Sequence, residues 1–376
     1  LISHQWQDAP ETKVSYQYDE LGRLTEIDTA QHKLSYSYDA LGNKISETQH
    51  WKDLKHQAIV SYTHTSDRRP LTLSHNDQTL HYSWGGAGQL ASVKHGDRSY
   101  HYKYDKAGRR STLTRPSGIS DHYHRDASGR LSSIGTTDKH GKTINFREFD
   151  YDAAGRLTGK TNPDGTTTRY GYDKSGQVIA AQLDIKDPAQ TAIQPANAQY
   201  RYSYDTAGNR KETVINQKRT QYQATPVNQY SAIDGKKLEY DKNGNLLKVE
   251  GRAAGDREGV QAETYQWNHD NRLIRHTKTI QNSPVTTHYS YDPLGRRISK
   301  VTHSAGEGVE VKSAGGVKAS TTTLYQYDGW NVVATYQSNS SPFTLHSLKL
   351  WGTDLSGSLQ GAGGVGGLLA EGKVAK

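Results

Sequence analysis

The chain has 376 residues, a formal net charge of +8, 36 Gly and 25 Tyr, but neither Cys nor Met. Only 32% of the residues are hydrophobic with Tyr counted, and the mean hydropathy is −0.89. This composition argues against an enzyme with thick aliphatic cores, and the lack of long apolar runs argues against transmembrane spans. Without Cys there is no disulfide framework, thiolate metal site or cysteine nucleophile. The start at Leu1 without Met leads us to expect a piece of a longer protein.

A motif of the form Tyr-x-Tyr-Asp-x-x-Gly recurs along almost the whole chain. Tyr16–Leu24 returns as Tyr36–Lys44, and the further copies are Tyr102–Arg109, Phe149–Leu157, Tyr170–Val178, Tyr202–Arg210, Leu238–Leu246, Tyr289–Arg297 and Tyr325–Val333. Weaker copies start at Tyr82, Tyr123 and Tyr265, and a degenerate one starts at Tyr62, with Asp67–Pro70 in place of the turn. Self-similarity of this kind is the signature of a repeat architecture.

Each copy of the motif predicts a β-hairpin. Tyr-x-Tyr places two rings on one face of an extended strand, because successive side chains alternate between faces. Asp followed three residues later by Gly matches a type I turn, whose Gly takes positive φ and forms a G1 bulge before the second strand. Where Gly is lost, Asn271 or Asn331 stands in its place, and Asn tolerates positive φ. At Asp292–Gly295, Pro occupies the second turn position, for which its φ is suitable.

The predicted fold class is therefore all-β, as one continuous meander of tandem hairpins without a clear internal domain boundary. No 3.6-residue helical pattern persists between the turns. Three intervals between motifs are longer than the rest, namely 172–204, 204–240 and 291–327. They predict either excursions from the sheet or longer hairpins.

Two residue types recur at fixed places in the motif. The turn aspartates are expected to accept backbone N–H bonds rather than to act as catalysts; they are Asp19, Asp39, Asp105, Asp152, Asp173, Asp205, Asp241, Asp292 and Asp328. The residue after Gly is often Arg, which is expected to stack on a Tyr or to reach a carboxylate in the neighbouring hairpin; examples are Arg23, Arg109, Arg130, Arg156 and Arg296.

Other patterns that could carry chemistry have simpler interpretations. Gly361–Gly366 satisfies G-x-G-x-x-G but lacks the flanking strand, helix and acidic residue, so it predicts a flexible or tightly turning segment. Asp241–Asn245 resembles the start of an EF-hand loop, but its Gly comes too early and no Glu closes it. His122 and His124 share a strand face without a third ligand. No catalytic, cofactor-binding or metal-binding residue is predicted.

The net positive charge raises the question of nucleic-acid binding. Basic residues come singly or in pairs such as Arg68 and Arg69, with acidic residues between them and no arginine-rich tract. No nucleic-acid partner is therefore expected. The charge could instead complement an acidic payload or partner surface, which we state as a hypothesis.

The Tyr-Asp-x-x-Gly-Arg units resemble the YD repeats of the RHS family, which includes bacterial Rhs effectors, the C subunits of Tc toxin complexes, wall-associated polymorphic toxins and animal teneurins. Tyr325–Val333 is similar to the family's YDGWN unit. Trp351–Leu369 is similar, nearly residue for residue, to a segment just upstream of the conserved RHS core. Together with the dozen or so YD units, the resemblance extends from Tyr16 to Leu369.

The resemblance implies a β-sheet that spirals into a hollow, barrel-like shell, part of a cocoon around a toxic C-terminal domain. In many members an aspartyl autoprotease in the RHS core releases that domain, but this sequence stops at Lys376, before such a core. Asp292–Gly295 faintly resembles the family's cleavage site, yet Arg296 follows it where the family has an apolar residue, so we expect no cut there. The implied divisions are a lead-in at 1–15, a repeat shell at 16–350 and a Gly-rich segment at 351–376.

The function implied by the resemblance is a non-catalytic shell or scaffold fragment that encapsulates and helps deliver a linked C-terminal toxin. The implied partners are that toxin domain, the remaining shell segments of the same polypeptide, and secretion machinery or another toxin-complex subunit, in a secreted or cell-surface location. An alternative is a cell-surface adhesin or carbohydrate-binding module, in which exposed rings stack on glycans. A third class, an autoproteolytic enzyme, would need core residues that this chain lacks.

Overall fold

The structure is a computed structural model that describes residues 2–6, 9–186, 198–251, 262–280, 283–304, 320–338, 342–354, 356–361, 364 and 366–373. Every regular element among these residues is a β-strand, and the predicted all-β class built from tandem hairpins is confirmed. The chain divides into two compact units. The first combines residues 1–99 with 251–376, and the second is 100–250.

The first unit contains two runs of strands, and within each run every strand pairs antiparallel with the next. The earlier run is β1 Ile2–Trp6, β2 Ala9–Tyr18, β3 Leu24–Asp28, β4 His32–Tyr38, β5 Lys44–Trp51, β6 His56–His64, β7 Pro70–His75, β8 Gln78–Trp84 and β9 Leu90–His95. The later run is β24 Glu263–Trp267, β25 Leu273–Ile280, β26 Ser283–Tyr291, β27 Arg297–Ser304, β28 Ser320–Asp328, β29 Asn331–Ser338, β30 Thr344–Trp351 and β31 Leu368–Lys373.

The second unit is a single run of antiparallel strands, again paired in chain order. Its strands are β10 Arg98–Tyr104, β11 Arg110–Thr114, β12 Ser120–Arg125, β13 Leu131–Thr137, β14 Thr143–Tyr151, β15 Leu157–Thr161, β16 Thr167–Tyr172, β17 Val178–Ile185, β18 Tyr200–Tyr204, β19 Arg210–Ile215, β20 Lys218–Ala224, β21 Tyr230–Ile233, β22 Lys236–Tyr240 and β23 Leu246–Val249.

Alternation along a strand buries one face and leaves the other in water. In β6, Ala58, Val60 and Tyr62 are buried while the residues between them are exposed. The two tyrosines of a Tyr-x-Tyr unit therefore point toward the same side, as the period of a strand requires.

In the first unit, β5 and β6 pack face to face on β27, β28 and β29. Trp51 and Ala58 from the earlier run form one buried cluster with Ile298, Leu324, Ala334 and Tyr336 from the later run. The Trp51 indole Nε1 donates a hydrogen bond of 3.0 Å to the backbone carbonyl of Ile298. Segments far apart in the sequence thus share one thin core.

Two of the three long intervals contain additional hairpin structure. Interval 204–240 holds a further unit, β20 and β21, whose turn has Asn228 at φ +61° in the place of Gly. The motif search missed this copy because Thr225 replaces the turn aspartate. Interval 291–327 forms the long antiparallel pair β27 and β28. In interval 172–204, residues 187–197 lie outside the described residues.

Candidate functional site

The Asp-x-x-Gly turns have the predicted geometry. In the first copy, Gly22 N donates to Asp19 O and Asp19 N donates to Arg23 O, both at 3.0 Å. Gly22 has φ +74°, and the strand register shifts between Gln17 and Tyr18, as in a G1 bulge. Asp19 Oδ1 accepts the Arg23 backbone N–H, and this bond is the main cause that holds the pKa of Asp19 below its ordinary 3.8. The turn aspartate thus accepts backbone hydrogen bonds, as predicted.

Replacement of the turn glycine by Asn follows the prediction in one place and departs from it in another. Asn271 has φ +57°, as expected. Asn331 does not have positive φ; instead it pairs with Asp328 across a two-residue turn in which Gly329 has φ +54°. The prediction for Asn331 was wrong because the YDGWN unit closes with a shorter turn.

The degenerate unit at Tyr62 forms its turn two residues earlier than predicted. Thr65 N donates to Arg69 O at 2.8 Å, and Arg68 N donates to Thr65 O at 2.9 Å. Arg68 has φ +65° and takes the place of Gly. The Thr65 hydroxyl accepts the Arg69 backbone N–H at 3.0 Å, so it replaces the turn carboxylate.

The arginine after the turn glycine joins its own turn to the next hairpin. Arg23 Nε donates to the Asp19 carboxylate at 2.6 Å, and its Nη1 donates to the backbone carbonyl of Asp39 at 3.1 Å. Its guanidinium lies 4.8 Å from the ring centroid of Tyr38, whose hydroxyl donates to Leu24 O at 2.7 Å. Of the two predicted roles, stacking on a tyrosine is confirmed here and at Arg130, Arg156 and Arg296. At these arginines the neighbouring hairpin supplies a backbone carbonyl in place of a carboxylate. Arg109 also reaches a backbone carbonyl, that of Gly129, but stacks on no described tyrosine.

We call this arrangement the Arg–Tyr staple, defined by an arginine after a turn glycine and the second tyrosine of the following Tyr-x-Tyr. The last strand of one hairpin and the first strand of the next pair at the end far from the Asp-x-x-Gly turns, as Glu26–Asp28 do with Lys33–Ser35. Nearer the turns the two strands are not paired, and the staple lies between them. The tyrosine hydroxyl bond recurs from Tyr151 to Leu131, Tyr172 to Leu157, Tyr204 to Val178, Tyr240 to Tyr230, Tyr291 to Leu273 and Tyr327 to Arg297. At these positions and at Tyr38, a Phe could not replace Tyr without loss of the bond.

One copy of the turn is buried between the two packed layers of the first unit. The Arg296 side chain is 2% exposed; its Nε lies 2.6 Å from the Asp292 carboxylate and its Nη2 lies 2.9 Å from Glu47. Glu47 also binds Lys44 Nζ at 2.8 Å, and Arg296 Nη1 donates to Gly329 O at 2.7 Å. Arg296 and Glu47 are therefore in direct contact although they are 249 positions apart in the chain.

In this buried cluster the carboxylates outnumber the basic side chains. Three carboxylates, Glu47, Asp292 and Asp328, face two cations, Lys44 and Arg296. Burial raises the pKa of Asp292 and of Asp328, the latter against attraction from Lys44. Burial also opposes the charge of Glu47, but Lys44 and Arg296 outweigh it and lower the pKa of Glu47. One extra proton held by an aspartate would leave the cluster neutral.

Buried amides and a phenol complete the contact between the layers. Gln49 Nε2 donates to Tyr327 O at 3.0 Å, and Gln326 Nε2 donates to Ile59 O at 3.0 Å. The Tyr62 hydroxyl donates to Asp328 at 2.9 Å. Sequence reasoning missed this cluster. The available signal was Glu47 and Gln49, two polar residues that alternate in step with the large apolar Trp51 along β5.

The Gly-rich C-terminal segment packs on the YDGWN turn. Gln360 Nε2 donates to Asp328 O at 2.9 Å, and its Oε1 accepts Trp330 N at 3.0 Å. Gly364 has φ +80°, and a Cβ there would come within 2.0 Å of Asn331 Oδ1. Of the two predicted alternatives, the described glycines therefore follow the tightly turning one; residues 362, 363 and 365 lie outside the described residues.

The remaining candidates lie in ordinary structural environments. Asp241–Asn245 is a repeat turn, as predicted, with Gly244 N donating to Asp241 O at 3.1 Å. His122 Nε2 lies 3.2 Å from Thr137 Oγ1, while His124 is exposed on the same strand. Across the described part of the chain, no three His, Cys, Asp or Glu side chains are grouped to hold a metal, and no helix is long and apolar enough to span a bilayer.

Comparisons with known proteins agree with this geometry. The teneurin YD-shell family model matches residues 3–119, and the RHS repeat model matches residues 151–184. The chain is 26% identical over 156 residues to the tRNA3(Ser)-specific nuclease WapA of Bacillus spizizenii, covering 39% of this chain and 6% of that protein. It is 27% identical over 143 residues to the tRNA nuclease WapA of Bacillus subtilis, covering 37% and 5%.

A solved structure shows the same fold. The Photorhabdus luminescens Tc holotoxin pore, in a form with a mutated TccC3, matches 95% of this chain and 21% of that chain, with 15% identity and a TM-score of 0.57. Tandem antiparallel hairpins joined by Arg–Tyr staples define the chain as a β-sheet repeat protein. The predicted resemblance to the RHS/YD-repeat family is confirmed.

Proposed function

We propose that this chain is part of a protein shell that encloses a linked C-terminal toxin and helps deliver it. The main supporting observation is the run of tandem hairpins, several of them joined laterally by Arg–Tyr staples, in a chain whose residues 3–119 match the YD-shell family. The curated relatives are nucleases named for their action on tRNA, and the solved neighbour is a toxin complex. The division into 1–15, 16–350 and 351–376 belongs to the same proposal.

The hairpin chemistry suits a thin wall. Lateral hydrogen bonds and ring contacts between neighbouring strands stabilise the sheet, so one face need not pack on a thick apolar core. Where two layers meet in the first unit, buried ion pairs and amides provide much of the contact. Such a wall fits a chain with only 32% hydrophobic residues.

The proposal assigns no catalysis to these residues. Its partners are the C-terminal toxin of the same polypeptide, the remaining shell segments, and secretion machinery or another toxin-complex subunit, in a secreted or cell-surface setting. The toxic activity would reside outside the residues of this chain.

Protease protection of the full-length polypeptide tests the proposal. We expect segments that follow this chain to resist limited proteolysis in the intact protein and to become cleavable in an Arg296→Met variant. Arg219→Met is the matched control, because the Arg219 side chain is 62% exposed and, among the described residues, pairs only with Glu212. Its protection should equal that of the parent.

Rapid digestion of the following segments in the intact parent would rule out enclosure. Specific binding to a glycan array, abolished by substitution of exposed rings such as Trp330, would favour the adhesin alternative instead.

A further inference from the structure

The turn Asp173–Gln177 in the second unit has no arginine to join it to the next hairpin. In the preceding unit, Arg156 Nε binds Asp152 at 2.7 Å, its Nη1 donates to Asp173 O at 3.3 Å, and its guanidinium lies 4.8 Å from the Tyr172 ring. The next turn has Gln177 at the position of Arg156. The Gln177 amide also extends to the next turn, with its Nε2 3.1 Å from the place where a Cβ on Gly208 would lie, but it is uncharged and makes no hydrogen bond to Asp173 Oδ2 among the described residues.

Without the guanidinium, the carboxylate and the ring of the staple have no cation between them. Asp173 Oδ1 accepts the backbone N–H of Ser175 and of Gln177, at 2.9 and 2.8 Å. Asp173 Oδ2, the oxygen that binds arginine Nε in other units, makes no hydrogen bond or ion pair with a described residue. Tyr204 keeps its hydroxyl bond to Val178 O at 2.8 Å, so the ring of the staple is in its usual place.

A cavity of about 750 Å³ lies at this position, between the turns Asp173–Gln177 and Asp205–Gly208. Strands β17 and β18 pair only at Ala180 with Arg201 and at Ala181 with Tyr200, so they separate toward the turns. The lining includes Asp173, Gln177, Arg201, Tyr204 and Asp205.

The lining offers groups that a planar, delocalised cation can use. A carboxylate oxygen and an aromatic ring stand where four other units hold a guanidinium, at Arg23, Arg130, Arg156 and Arg296. Arg201 also lines the cavity, and its charge opposes any cation there. A guanidinium offsets this better than a compact, strongly hydrated ammonium, because it can stack on the ring and donate in its plane.

We propose that this cavity binds a guanidinium group supplied by another molecule, in the pose that the arginine of the staple has elsewhere in the chain. The carboxylate of Asp173 accepts its N–H groups, and the ring of Tyr204 packs on its face. The group can belong to an arginine side chain of a polypeptide or to a small guanidine, and the test separates these sources.

Calorimetric titration of the full chain with N-acetyl-arginine amide tests the proposal. We expect saturable binding, and affinity about tenfold or more lower for the lysine and citrulline analogues, which lack a charged guanidinium. Equal binding of the lysine analogue would overturn the proposal. Tighter binding of a short arginine peptide than of the amide points to a polypeptide source, and equal affinities point to a small guanidine.

The most direct test is a variant in which an arginine side chain of the protein itself fills the site. Gln177→Arg should abolish binding and raise the melting temperature, because the new side chain completes the staple. Lys142→Arg is the matched control, since it places an arginine after a different turn glycine, Gly141, and should leave binding unchanged. Undiminished binding by a folded Gln177→Arg protein would show that the ligand occupies some other place. Asp173→Asn should weaken binding about tenfold or more.

Discussion

At the scale of single residues, the second tyrosine of the motif combines three interactions. Its ring packs in the sheet and supports a guanidinium, and its hydroxyl crosses to a carbonyl of the preceding hairpin, as Tyr172 does to Leu157 at 2.7 Å. A phenylalanine supplies the ring but not the bond. The motif itself predicted that the two rings share a face. The carbonyl that accepts the hydroxyl hydrogen bond was not predictable from the motif, because it belongs to the neighbouring hairpin.

Replacement of Tyr172 by Phe should lower the free energy of unfolding by about 1 kcal/mol, the usual worth of one hydrogen bond. Urea unfolding of the parent and the variant measures the difference. Tyr170→Phe is the control from the same strand, because the Tyr170 hydroxyl has no hydrogen bond to a described residue. Equal losses in the two variants would contradict the importance of the hydroxyl bond.

At the scale of one hairpin, the turn was the most predictable element. Asp and Gly at fixed spacing determine the hydrogen bonds of the turn locally, so Asp152–Arg156 repeats the geometry of Asp19–Arg23. The prediction failed where a different local solution exists, as with the short turn before Asn331. Thr65 and Thr225 replaced the aspartate by using a hydroxyl, which the search for Asp could not detect.

Replacement of Gly155 by Val should destabilise its hairpin by roughly 1 to 3 kcal/mol, because a β-branched residue resists the φ of +81° at this position. Thermal melts give the measurement. Ala154→Leu is the control, since Leu21 and Leu41 occupy the equivalent position in other turns. A Gly155→Val melt indistinguishable from the parent would disprove the turn assignment.

At the scale of the first unit, a few buried polar groups bring together strands from opposite ends of the chain. Arg296, Asp292 and Glu47 are each almost fully buried where the two layers meet. The same turn sequence elsewhere, at Arg156, has its arginine 37% exposed. The motif is the same in both places, so the difference in exposure of the two arginines is due to the second layer that covers Arg296.

Arg296→Met should destabilise the protein by about 3 to 5 kcal/mol, because it leaves Glu47 and Asp292 buried without their cation. Arg156→Met, at the same motif position but exposed, should cost about 1 kcal/mol or less. Chemical unfolding of both variants measures the contrast. Similar losses would show that the buried cluster has no special role in joining the layers.

Acid should weaken the first unit through His32, which is buried beside Trp51 with neither ring nitrogen bonded to a described residue. Burial, with smaller contributions from Arg296, His50 and Lys52, lowers the pKa of His32 from 6.5 to about 3. The folded state therefore binds fewer protons than the unfolded state between these values, so stability is complete above pH 6.5 and falls as pH decreases toward 3. At pH 5 the loss amounts to about 2 kcal/mol.

Urea unfolding between pH 4.5 and 7.5 measures this slope. His32→Leu should retain stability at pH 7.5, because no hydrogen bond to a described residue is lost, and should show a shallower decline on acidification. An unchanged slope in a folded His32→Leu protein would contradict the assignment of the acid response to His32.

The sequence by itself determined the hairpins, their turns and the one-sided burial of their tyrosines, because these depend on residues within about ten positions of one another. Only the tertiary structure decided which repeat is buried and which is exposed. It also decided that Gln49 reaches Tyr327 and that Arg296 reaches Glu47. Nothing in a local motif encodes a partner some 250 residues away, since that pairing depends on how the layers stack.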